Sequence, residues 1–154
     1  MKITLTNNQI YAALQGMQKI AKIPATSAFY KGILRNQKIF QKELKKVHEA
    51  IIDPSAEHKK YMEEREKIVK EYQEKVTEAK RAEKPLPDRD KHLKNLEKLE
   101  KKYEVAINVH KENEEKNKKL FETEVEVEVI GIKESDWPQM TTEQAAPLIE
   151  LMLS

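Results

Sequence analysis

The run Thr123-Glu124-Val125-Glu126-Val127-Glu128-Val129 alternates acidic and β-branched residues almost without interruption. Alternation of period two specifies a half-buried strand, with Val125, Val127 and Val129 on its inner face and the glutamates outside. Such a strand needs a partner. The other good candidate stands at the far end of the chain, Lys2-Ile3-Thr4-Leu5-Thr6. The two ends are therefore expected to meet in a small two-stranded sheet, with the intervening chain looping out as helices.

Composition agrees with that plan. Of 154 residues, 36% are charged, only 3 are glycine and 6% are aromatic, which favours elongated, water-exposed helices over a thick globule. Acidic and basic residues nearly cancel, 27 against 29, so the chain is neither an acidic decoy nor a strongly basic phosphate binder. Absence of cysteine excludes disulfides and thiolate chemistry and is compatible with a reducing cytosol. Met1-Lys2 leads into polar Asn7-Asn8 without an apolar signal segment, and no apolar run approaches the roughly 20 residues of a membrane helix, so no membrane association is expected.

Thr6, Asn7 and Asn8 offer caps to a first helix whose apolar face carries Ile10, Ala13, Leu14, Met17, Ile20 and Ala21. Ile23-Pro24 ends it, and Thr26 or Ser27 caps a second helix with the stripe Phe29, Ile33, Leu34, Ile39, Phe40, Leu44, Val47 and Ile51. Asp53-Pro54 then breaks or sharply kinks the pattern, with Asp53 as cap and Pro54 at the first helical position if a new helix starts there. Tyr61, Met62, Ile68, Val69, Tyr72 and Val76 form a thin seam flanked by Glu-to-Lys pairs four residues apart. The Pro85-Leu86-Pro87 segment, followed by a capping Asp88 or Asp90, is the tip of a hairpin or a mobile linker. Leu93, Leu96, Leu99, Tyr103, Ala106, Ile107 and His110 return antiparallel, close to a heptad seam. Thr141-Thr142 caps a short last helix bearing Leu148, Ile149, Leu151 and Met152, its start restricted by Pro147.

The expected fold is thus α+β and predominantly helical: a single domain over 1–154, with a head formed by 1–52 and 120–154 and a projecting antiparallel coiled-coil hairpin over 53–119. Twenty residues of helix span about 30 Å, which sets the reach of the arm.

Chemistry is harder to find. His48, His58, His92 and His110 each stand alone in helical stretches with no metal-ligand spacing around them, although His58 and His110 fall near the arm seam. No serine sits in a nucleophile elbow, and Gly16, Gly32 and Gly131 make no phosphate-cradling loop. The expectation is no catalytic residue, no metal and no cofactor. Lys94, Lys98, Lys101 and Lys102, within a lysine-rich stretch to Lys119, are candidates to meet phosphates, but glutamates interrupt them and Tyr103 is the one aromatic for base stacking. Trp137, beside Pro138, is either an exposed partner anchor or a plug beneath the last helix. Tyr61, Arg65, Tyr72 and Tyr103 are the candidate partner-binding residues of the arm. A two-stranded sheet also leaves edges open to another copy or a partner strand, with Glu124, Glu126 and Glu128 limiting indiscriminate stacking.

The opening Ile3-Thr4-Leu5-Thr6-Asn7-Asn8, the step Ile23-Pro24-Ala25 into Ala28-Phe29, Glu63-Glu64-Arg65 with Tyr72, and the close from Thr123-Glu124-Val125 to Met140-Thr141-Thr142 together resemble a family of small uncharacterised proteins encoded by phages and prophages of Gram-positive bacteria. The lysine-rich returning helix and the Pro85–Pro87 tip depart from it. The resemblance implies a protein made in the cytoplasm of an infected bacterium, where small accessory factors bind and redirect host or defence proteins. It carries over no catalytic residue. A non-enzymatic accessory protein that binds and modulates a bacterial protein is therefore the expected function. A homo-oligomeric phage structural or assembly protein and a nucleic-acid-binding accessory protein are the alternatives.

Overall fold

A computed structural model describes residues 1–20 and 23–153. Ala21, placed above on the first helix's apolar face, lies outside them. The chain is α+β and predominantly helical, and divides into two compact units, Met1–Ile51 with Lys116–Ser154, and Ile52–Glu115.

In the first unit, β1 (Lys2–Thr6) pairs antiparallel with β2 (Glu124–Glu128), Ile3 opposite Val127 and Leu5 opposite Val125. The valine face turns inward as the alternation requires. Thr6 ends β1 and starts α1 (Asn7–Lys19) through a capping box: its hydroxyl accepts from the Gln9 amide while the Gln9 side chain accepts from the Thr6 amide. Thr26 caps α2 (Ser27–Ala50), accepting from the Phe29 amide and donating to the Asp136 carbonyl. Ile10, Met17, Ile20, Phe29, Phe40, Val129, Leu148 and Leu151 fill the core, each almost wholly buried.

Three expectations for this unit need correction. Leu34 is exposed, because the buried face of α2 runs through Phe29, Ile33, Asn36, Phe40, Leu44 and Val47, and Leu34 is turned one residue off it. The final helix is a single α-turn, α6 (Thr142–Ala145), capped by Thr141 and followed by a 3-10 segment, Ala146–Leu151, with Pro147 near its start. Ile149 is exposed there, and Met152 belongs to a strand. That strand, β4 (Met152–Leu153), pairs parallel with β3 (Ile132–Lys133), a second two-residue ladder too short to show alternation in sequence. Gly16 lets this C-terminal segment lie on α1, for a Cβ there would fall 2.7 Å from the Pro147 ring.

The second unit is built on α3 (Ala56–Arg81) and α4 (Arg89–Lys102), antiparallel to each other, and the first part of α5 (Glu104–Glu122). The chain does break between α2 and α3, but Ser55 rather than Asp53 is the cap, its hydroxyl accepting from the His58 amide. Pro54 therefore precedes the helix instead of starting it. At the tip, Glu83 takes a left-handed conformation (φ 52°) and the Lys84 amide reaches back to the Ala79 carbonyl, a helix-ending Schellman arrangement. The Asp88 side chain then caps α4 through the amides of Asp90 and Lys91. Among the described residues, no helix is long and apolar enough to cross a membrane.

Candidate partner-binding groove on the helical hairpin

The seam of the second unit is made largely of polar aromatics. From α3 it takes His58, Tyr61, Ile68, Tyr72, Val76 and Ala79; from the returning chain His92, Leu96, Leu99, Tyr103, Ala106 and His110. The returning set recurs at alternating steps of four and three, a heptad shifted by one residue from the expected start. His92 therefore faces inward while Leu93 is exposed, and on α3 Met62 is exposed as well.

The histidines are not alone. His58 stacks on His110 with ring centroids 3.7 Å apart, and His92 stacks on Tyr72 at 4.1 Å. His58 is buried, and both burial and the neighbouring His110 hold its imidazole below the ordinary 6.5, Glu114 opposing them more weakly. His110 Nε2 lies 3.5 Å from Glu114 on the next turn of α5.

The returning chain is not one straight helix. At Tyr103 the backbone departs from helical values (φ −111°, ψ 18°), separating α4 from α5 while the Tyr103 amide still bonds Leu99 and its carbonyl still accepts from Ile107. Glu64 of α3 anchors this point. Its carboxylate accepts from the Tyr103 hydroxyl at 2.7 Å and from Lys102 Nζ at 3.0 Å, and the Tyr103 bond first, then Lys102, lowers its pKa from 4.5. Lys102 also lies 4.8 Å from the Tyr103 ring centre, and its own pKa is raised chiefly by the bond to Glu64.

Beside this bend lies an open groove of about 480 Å³. Glu97, Glu100, Lys101, Glu104, Ile107, Asn108 and Lys111 line it, a spacing that keeps one face in register through the break, and Tyr61 reaches it from α3. Ile107 and Tyr61 supply apolar surface, and the glutamates and lysines a mixed-charge rim. Such a surface suits a polypeptide with both charges and an apolar anchor.

Of the sequence-predicted residues, the hairpin brings together Tyr61 and Tyr103, with ring centres 5.9 Å apart. Tyr61 and Lys101 line the groove, and Lys102 is committed to Glu64. Arg65, Lys94 and Lys98 are exposed elsewhere on the unit, and Tyr72 is stacked on His92. Trp137 and Pro138 belong to the first unit. Trp137 is half-buried: its ring meets Phe29 edge-on at 5.6 Å and its Nε1 donates to the Ile132 carbonyl at 3.2 Å. Its apolar surface is thus largely used in packing. The role of Glu64, the place of Ile107 in the groove rather than the seam, and the stacking of His58 on His110 do not follow from the sequence reading, although the heptad phase through Leu99, Tyr103, Ala106 and His110 is the signal that sets Tyr103 and His110 against α3. No group of three or more His, Asp or Glu placed to hold a metal occurs among the described residues.

Comparison with known proteins finds no family model, no curated protein and no solved structure that this chain matches.

Proposed function

We propose that this chain is a non-enzymatic binding protein, and that the groove at the Tyr103 bend receives a segment of a bacterial partner protein whose activity it modulates or inhibits. The groove carries the reading: an anchored bend with an apolar floor of Tyr61 and Ile107 and a rim of both charges. A stable complex buries about 1,200–2,000 Å² in total, so the partner would cover helix faces well beyond the groove itself. The resemblance to small phage-encoded proteins supports a bacterial partner and an accessory role in the infected cell. A nucleic-acid role has less support, since Lys101 and Lys102 stand among Glu97, Glu100 and Glu104 and one of the two is engaged by Glu64.

The test is affinity capture from nuclease-treated bacterial lysate with the wild-type chain and an Ile107→Asp, Lys101→Glu variant whose helicity is checked by circular dichroism. One stoichiometric bacterial protein held by the wild type and lost by the folded variant is expected. Equal capture by both removes the groove as the recognition surface, and recovery of the chain alone as a defined oligomer favours an assembly role.

A further inference from the structure

The sheet of the first unit has a second property that the groove does not use. Met1 and Val129 exchange both backbone hydrogen bonds, at 2.8 Å each, and the Asn7 amide donates to Thr123 at 3.1 Å. Hydrogen-bonded and non-bonded pairs alternate along an antiparallel ladder, so Ile3, Leu5, Val125 and Val127 point their peptide groups inward. Those of Glu124, Glu126 and Glu128 point away from β1. The outer edge of β2 pairs with no other strand among the described residues. At Ile130, the next residue of that parity, both peptide groups are satisfied: the Asn36 carboxamide accepts from the amide at 2.8 Å and donates to the carbonyl at 2.7 Å. Beside buried Asn36 the edge is closed, and from Glu124 to Glu128 it is left open.

We propose that this open edge of β2 takes an added strand, an extended segment of another protein with Lys or Arg at alternate positions. Backbone pairing would supply the docking and charge the selectivity. On the exposed face of the sheet, three carboxylates from β2 stand against the one ammonium of Lys2, which already bonds Glu126 at 2.8 Å. A strand placing basic residues beside Glu124, Glu126 and Glu128 repeats on the outer edge the pairing that Lys2 makes on the inner one. A second copy joined through the same edge would instead set glutamate against glutamate, an unfavourable cross-strand pair. This inference is independent of the groove.

The probe is a labelled Lys-Val-Lys-Thr-Lys-Val-Lys peptide, followed by fluorescence anisotropy at low ionic strength. Controls are its glutamate counterpart and a version methylated on the alternate backbone nitrogens. Glu126→Pro is the decisive variant: it deletes an outward amide but no bond of the β1 ladder, a position where an edge strand tolerates proline. Binding of the basic peptide alone is expected, weakened about tenfold or more by backbone methylation and by Glu126→Pro, the loss of a backbone bond with its neighbours' alignment. Equal binding of the methylated peptide, binding undiminished in folded Glu126→Pro, no binding of the basic peptide, or dimerisation of the chain through this edge in sedimentation each overturns the proposal. If Glu126→Pro does not fold, the methylated peptide against the wild-type chain decides.

Discussion

The side-chain amide of Asn36, wholly buried on α2, exchanges two hydrogen bonds with the backbone of Ile130, standing in for the strand that β2 lacks at that point. A buried amide is tolerated in a core only when its donors and acceptors are met, and here the pairing is reciprocal. Asn36→Leu fits the space but orphans an N–H and a C=O at once. The expected cost is roughly 1–3 kcal/mol, since each lost hydrogen bond is worth about 0.5–1.5 kcal/mol and Ile130, itself 40% exposed, can turn partly to water. Urea unfolding followed by the fluorescence of Trp137, the single tryptophan and packed in the same unit, measures it. A change under about 0.5 kcal/mol, the usual size for an uninvolved surface site, would show that Ile130 finds water instead.

The stacked His58 and His110 make the hairpin acid-sensitive. The folded state holds the His58 imidazole below 6.5, so it binds a proton less readily than the unfolded chain does. Stability is then at its full value above that pH and falls as the pH drops through it, because the unfolded state gains protons first. The groups facing His58 are His110, which adds to the effect, Glu114, which opposes it, and Tyr61, whose ring centre lies 5.8 Å away. Urea midpoints of the wild type and His58→Gln should therefore converge or cross as the pH is taken from about 8 to 5. A constant difference would place the imidazole in contact with water and outside the stack.

Much of this architecture is legible in the sequence, for reasons that differ by element. The Val125-Val127-Val129 alternation and its partner Ile3-Leu5 specify β1, β2 and their inner faces, because a period of two leaves one choice of face once one side is buried. Thr6, Thr26 and Thr141 mark helix starts through their side-chain oxygens. The rest turns on geometry that sequence spacing does not encode. Leu93 and His92 differ by one position, and only packing against Tyr72 selects His92 for the seam. Tyr103 reads as an ordinary seam residue, whereas its hydroxyl reaches Glu64, a residue 39 positions earlier, at the point where the helix bends. The groove face from Glu97 to Lys111 keeps ordinary helical spacing across that bend, and only the approach of Tyr61 from α3 distinguishes it from the other solvated faces. Ile132 and Met152 pair over two residues, below the length at which any pattern appears.

Glu83 ends α3 in a left-handed conformation that costs a residue with a Cβ about 1–2 kcal/mol. Glycine is the residue this position favours, since the Schellman closure from the Lys84 amide to the Ala79 carbonyl uses backbone alone. The flexibility glycine adds to the unfolded chain subtracts up to about 1 kcal/mol from the benefit. Glu83→Gly is thus expected to stabilise the second unit by about 0.5–1 kcal/mol, read as a raised urea midpoint in far-ultraviolet circular dichroism. A destabilised variant would mean that the Glu83 side chain contributes a contact worth more than the backbone strain.

The bend at Tyr103 rests on one carboxylate, and its chemistry can be read directly. Glu64 accepts from a phenol and an ammonium, and its pKa is lowered first by the Tyr103 bond and then by both the bond and the charge of Lys102. Tyr103→Phe removes that bond and leaves Lys102 in place, so the Glu64 pKa should rise toward 4.5 without fully reaching it. Lys102→Ala, which removes both a bond and a charge, should raise it too. Carbon-detected nuclear magnetic resonance titration of the Glu64 side-chain carboxyl resolves both. The same Tyr103→Phe variant leaves Lys102 alone to hold α3 at the junction of α4 and α5, so partner capture through the groove should weaken while the tilted ring contact of Tyr61 with residue 103 is kept. If Lys102→Ala produces the larger pKa change, the ammonium holds the carboxylate, and the bend owes its position to an ion pair that added salt would loosen.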